Sequence, residues 1–121
     1  MKSSFLVADV FNIEGRGVVA TGIVKSGSLM VGMEVVINDI KMKIKQIELF
    51  NKEILEAEQG SKVGIILENG DRDLIYSARN REIVFTDKNE EASPIKVEVK
   101  KDPLGNRSLW KILKSMLNKA E

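Results

Sequence analysis

Between Phe5 and Thr86 the chain does not run much beyond a dozen residues without a turn signal, and the stretches between the signals are rich in Val, Ile and Phe. Most of this stretch reads as short strands. They fit a barrel or sandwich of short antiparallel strands. Phe5 to Ile13 reads as a first strand, reversed at Glu14-Gly15-Arg16-Gly17, where two glycines permit positive φ. Val18 to Lys25 reads as the second, and Gly22 within it predicts a bulge or a close backbone approach. Met33 to Ile37 forms a third, closed by Asn38-Asp39.

The next run, Ile40 to Phe50, changes parity midway. Ile40, Met42 and Ile44 share one face and Lys41, Lys43 and Lys45 the other, yet the following apolar positions are Ile47 and Leu49. One extra residue produces that flip, so a β-bulge is expected near Lys45-Gln46. Glu53 to Glu58, Lys62 to Leu67 and Glu82 to Thr86 complete the strands, with turns at Asn51-Lys52, Gln59-Gly60 and Asn69-Gly70-Asp71. Residues 1–87 are therefore read as one barrel. Residues 88–121 differ in texture: a polar linker to Pro94, an alternating strand from Ile95 to Lys100, and a helix from about Arg107 to Ala120. Leu109, Ile112, Leu113, Met116 and Leu117 make one stripe of that helix, with Trp110 at its edge. The stripe is read either as packing on the barrel or a second copy, or as a basic surface that docks a protein or a membrane.

Composition removes most chemistry. The 121 residues contain no Cys and no His, which eliminates thiolate nucleophiles, zinc sites of the usual kind and every His-based triad. No Gly-x-x-x-x-Gly-Lys-Ser/Thr loop is present, and Gly15-Arg16-Gly17 lies between two strands rather than before a helix. The chain is expected to be no enzyme, to need no cofactor or metal and to bind no GTP. The net charge is +1, but unevenly spread: residues 1–87 hold 11 Lys/Arg against 13 Asp/Glu, and residues 88–121 hold 8 against 5. No run of apolar residues is long enough for a transmembrane helix, and a cytoplasmic protein is expected. The row Lys41, Lys43, Lys45 is the candidate RNA contact, read against ordinary solubilising charge.

Asp9-Val10-Phe11-Asn12-Ile13-Glu14-Gly15-Arg16-Gly17-Val18-Val19-Ala20-Thr21-Gly22, followed by Val24 to Gly27, Val31 to Val35, Ile47-Glu48-Leu49-Phe50 and Gly60 to Leu67, resembles the second domain of elongation factor Tu and related translational GTPases. The likeness implies an all-β, closed translation-factor-type barrel, here with a C-terminal strand and one amphipathic helix. It implies a non-enzymatic interaction module whose partners are the ribosome, tRNA or a translational GTPase. Homo-oligomerisation through the helix, and an adaptor role through its basic face, are the alternatives. By resemblance a pocket for the terminal adenosine of tRNA is lined by Ile13, Gly15, Val19 and Ile66. Four positions depart from the family pattern: an acidic residue is replaced by Ala8, and arginines by Ile23, Glu68 and Ser77. Aminoacyl-tRNA is therefore expected to bind no better than bulk RNA. No GTPase domain is recognisable before Phe5 and no third barrel after Phe85. The start at Met1 and the terminal helix favour a stand-alone protein over a piece of a larger one.

Overall fold

The computed structural model describes residues 2–88, 90 and 94–99. Its strands are β1 (Lys2–Ile13), β2 (Gly17–Ser26), β3 (Leu29–Met30), β4 (Glu34–Ile37), β5 (Ile40–Leu49), β6 (Lys52–Ile54), β7 (Glu56–Ala57), β8 (Lys62–Glu68) and β9 (Glu82–Thr86). A short helix, α1 (Arg72–Ser77), precedes β9. The order β4-β9-β1-β2-β8-β5 closes on itself through the β4–β5 pairing, giving a six-stranded antiparallel barrel. β6 extends from β5 as a hairpin, and β3 with β7 makes a separate two-stranded sheet.

Alternation fills the barrel. Phe5, Val7 and Val10 of β1, Ala20 and Val24 of β2, Met42, Ile44 and Ile47 of β5, Val63 and Ile65 of β8, and Ile83 and Phe85 of β9 are all buried in one core. Phe5 and Phe85 meet edge to face at 6.4 Å between ring centroids, the arrangement their quadrupoles favour.

The bulge expected near Lys45-Gln46 is present. Ile44 pairs with Leu67 and Gln46 with Ile66, so Lys45 is the extra residue and Ile47 returns to the interior. A second bulge lies in β1, where Val7 pairs with Gly22 and Asp9 with Thr21, leaving Ala8 over. Gly22 is the close approach its place in a strand suggested: a Cβ there would collide with the Leu6 carbonyl oxygen and come 2.8 Å from Phe5 Cζ.

Several expectations change in detail. The third run starts at Glu34 rather than Met33, and Leu29–Met30 forms an additional strand. The single strand from Glu53 to Glu58 divides at Leu55, because Ile54 stays paired with β5 while Glu56 pairs with β3. Phe50 belongs to a turn, not to β5: it and Asn51 both have positive φ, 50° and 64°, as in a two-residue type I′ hairpin. α1 was not anticipated. Asp71 caps it, its carboxylate accepting from the Leu74 N–H at 3.1 Å, and Leu74 and Ile75 are buried in the core. Among the described residues 94–99, the expected strand is reduced to one parallel bridge, Ile95 to Ile37. Asn38 holds it, donating from Nδ2 to the Val97 carbonyl and accepting from the Val97 N–H. This segment lies beside β4 where β9 pairs only through Glu34 and Thr86. The helix expected over 107–120 lies outside the described residues.

Candidate functional site: a cleft on the outer face of the barrel

Four apolar side chains are buried although they do not point into the barrel. Phe11, Ile13, Val19 and Ile66 form their own cluster. Register explains it. Phe11 pairs with Val19 and Val19 with Ile66, so these three lie in one row across β1, β2 and β8, on the face opposite the core. The adjoining row is Thr21, Gly64, Glu48, Glu53, across β2, β8, β5 and β6. Glycine interrupts this second row. A Cβ on Gly64 would rest 3.7 Å from Val19 Cγ1 and 4.0 Å from Thr21 Cγ2. The missing side chain therefore leaves a notch between Thr21 and Glu48.

The notch opens into a cleft of about 550 Å³. Ile13, Val19, Ile23, Val63 and Gly64 give it an apolar lining, with Ala8, Thr21 and Gly22 alongside. Lys62, Phe50 and Asn51 border it, and so do Arg16 and Glu48. Arg16, from the β1–β2 turn, reaches across β8 to Glu48 on β5. The contact is a fork: Nη1 to Oε1 and Nη2 to Oε2, both 2.9 Å. Gln46 Nε2 donates to the same carboxylate at 3.0 Å. Bidentate pairing fixes the planes of both groups, so the polar edge of the cleft is preset rather than mobile. Phe50 stands at the tip of the β5–β6 hairpin and is 85% exposed.

Of the four residues that the family resemblance assigns to a pocket, Ile13 and Val19 line this cleft. Ile66 packs with them in the outer cluster. Gly15 sits in the β1–β2 turn at φ 83° and is not part of the lining. Two of the departures from the family pattern, Ala8 and Ile23, are in the cleft and account for much of its apolar character. The other two are elsewhere: Ser77 closes α1, its hydroxyl donating to the Asp73 carbonyl at 2.7 Å, and Glu68 pairs in register with Lys43.

The lysine row is not at the cleft. Lys41 Nζ lies 4.0 Å from Glu34. Lys43 sits in register between Glu34 of β4 and Glu68 of β8. Lys45 is the exposed bulge residue. Two of the three thus face carboxylates, which lowers the local potential a phosphate backbone would meet. The docking candidates Leu109, Trp110, Ile112, Leu113, Met116 and Leu117 lie outside the described residues. Among the described residues no three Asp or Glu side chains gather closely enough to hold a metal ion, and no helix is long and apolar enough to cross a membrane.

Arg16, Glu48, Phe50 and Lys62 were not identified as site residues from sequence. Arg16 and Glu48 are 32 positions apart, and nothing local to either announces the other. Phe50 carried a signal, an aromatic beside Asn at the end of a strand, but it reads equally as a strand terminus.

Comparison with known proteins places these residues in context. The family model for elongation factor Tu domain 2 matches residues 17–75, which include Val19, Glu48, Phe50, Lys62 and Gly64. Among solved structures, translation elongation factor SelB from Methanococcus maripaludis, in its apo form, is 27% identical with a TM-score of 0.60. That match covers 74% of this chain and 19% of the SelB chain. The chain resembles the second, β-barrel domain of translational GTPases.

Proposed function

We propose that this barrel is a non-enzymatic docking module of the translation apparatus, working in the cytoplasm and holding a ribosomal partner in its outer cleft. The observation that carries the reading is the cleft itself: an apolar floor opened by Gly64, edged by the preset Arg16–Glu48 fork. Most of its lining falls within the stretch that matches the translation-factor family.

The lining also bears on which partner is favoured. With Ala8 and Ile23 apolar, few groups remain to hydrogen-bond a base edge, and discrimination rests on such bonds. Aminoacyl-tRNA should therefore bind no better than bulk RNA. Bulk RNA should bind weakly, through Lys41, Lys43 and Lys45, and lose affinity steeply with salt.

Co-sedimentation with ribosomes at physiological salt tests the partner class. The chain is expected in the ribosomal pellet, saturably. A chain left in the supernatant at saturating ribosome would overturn the reading.

A further inference from the structure

We propose that the chain also self-associates through this cleft, as a two-fold dimer in which Phe50 of each copy enters the cleft of the other. The inference does not rest on the identity of the translation partner.

A knob and a hole occur on one surface. Phe50 is 85% exposed at the hairpin tip, and the cleft of about 550 Å³ opens beside it. Phe50 also holds φ at 50°, a conformation that Asn or Gly adopts at less cost than a bulky side chain. An aromatic ring kept there, in water, is poorly explained by the hairpin alone. Because ring and cleft share one face, a two-fold axis satisfies both contacts at once, which is the defining property of an isologous interface.

Charge selects the occupant. Arg16 and Glu48 neutralise each other within one copy. Glu53 lies directly across from Glu48 on the same face, and Lys62 borders the cleft. Neither Glu53 nor Lys62 has an ion-pair partner among the described residues. The patch thus presents one free carboxylate and one free ammonium. A uniformly acidic or basic partner sets one of them against its like, whereas a second copy pairs Lys62 with Glu53 twice. The dimer covers the surface assigned above to docking, so self-association and partner binding exclude each other.

Sedimentation equilibrium on the full chain tests this without any partner. Wild type is expected to dimerise in a concentration-dependent way. Phe50→Asn, which suits the turn, should weaken the dimer by at least about tenfold, while its melting temperature, compared at a dilution where the wild type is monomeric, holds or rises. Gly64→Leu, which fills the notch, should weaken it similarly. Glu53→Lys and Lys62→Glu should each weaken it about threefold, and the double exchange should restore it. A wild type that stays monomeric up to about 1 mM, a dimer that survives Phe50→Asn or Gly64→Leu, or a double exchange weaker than either single one would each overturn the proposal. Failure here leaves ribosome binding untouched, and failure of ribosome binding leaves the dimer untouched.

Discussion

Gly22 and Gly15 are both glycines in or beside β2, but they are held for different reasons. At Gly22 the obstacle is external: the Leu6 carbonyl and the Phe5 ring occupy the space of a side chain. At Gly15 the space is open and the obstacle is the torsion, φ 83°. Overpacking against backbone cannot relax by a rotamer change, whereas a positive φ costs an alanine about 1 kcal/mol or somewhat more. Gly22→Ala should therefore destabilise by about 2 kcal/mol or more and Gly15→Ala by less. Chemical denaturation of the two variants measures this, and the opposite order would contradict both assignments. Phe50→Asn should go the other way, adding about 0.5–1 kcal/mol by relieving an αL phenylalanine. The sequence showed that Gly22 was unusual for a strand. It could not show what stood against it, because Leu6 comes from the preceding strand at a register set by the Ala8 bulge.

Strands were more legible than helices. β5 carried its own proof, since the parity change between Ile44 and Ile47 has no meaning in a regular strand and one meaning in a bulged one. Deleting Lys45 should cost little more than changing it. Without the extra residue Ile44 faces inward, Gln46 outward and Ile47 inward in strict alternation, so Ile47 keeps its buried place. The expected loss is about 1 kcal/mol, against about 0.5 kcal/mol or less for Lys45→Ala. A deletion variant that fails to fold would contradict the bulge at Lys45. α1 escaped notice because six residues carry too short a periodic pattern, and a helix of that length is not stable alone. Its legible signal was Asp71, three residues before Leu74. Asp71→Ala should cost about 1 kcal/mol through loss of the cap, and an unchanged melt would argue against that bond. Near the C-terminal end of the described residues, the alternation from Ile95 was real, but alternation says nothing about whether a partner edge is available along its whole length. β4 offers one only near Ile37 and Asn38.

For the molecule as a whole, the closed barrel was readable from turn spacing and from the resemblance of Asp9 to Gly22 and of Gly60 to Leu67 to the translation-factor family. The cleft was only partly so. Ile13 and Val19 were anticipated through that resemblance, but the cavity exists because β2, β8 and β5 lie side by side and Gly64 falls between Thr21 and Glu48. Such a notch has no local sequence signature. The same architecture predicts that the purified chain gives no heat with GTP in calorimetry, because no phosphate loop is present in the sequence. Micromolar binding would contradict it. The central claim is that the cleft, and not the lysine row, engages the translation apparatus. Its most direct test is ribosome affinity measured across a salt series for wild type, Gly64→Leu and the triple change of Lys41, Lys43 and Lys45 to Ala. Gly64→Leu is expected to lose at least about tenfold at every salt concentration, and the triple variant to lose affinity only at low salt. Full affinity in Gly64→Leu, with affinity abolished at physiological salt in the lysine variant, would contradict it.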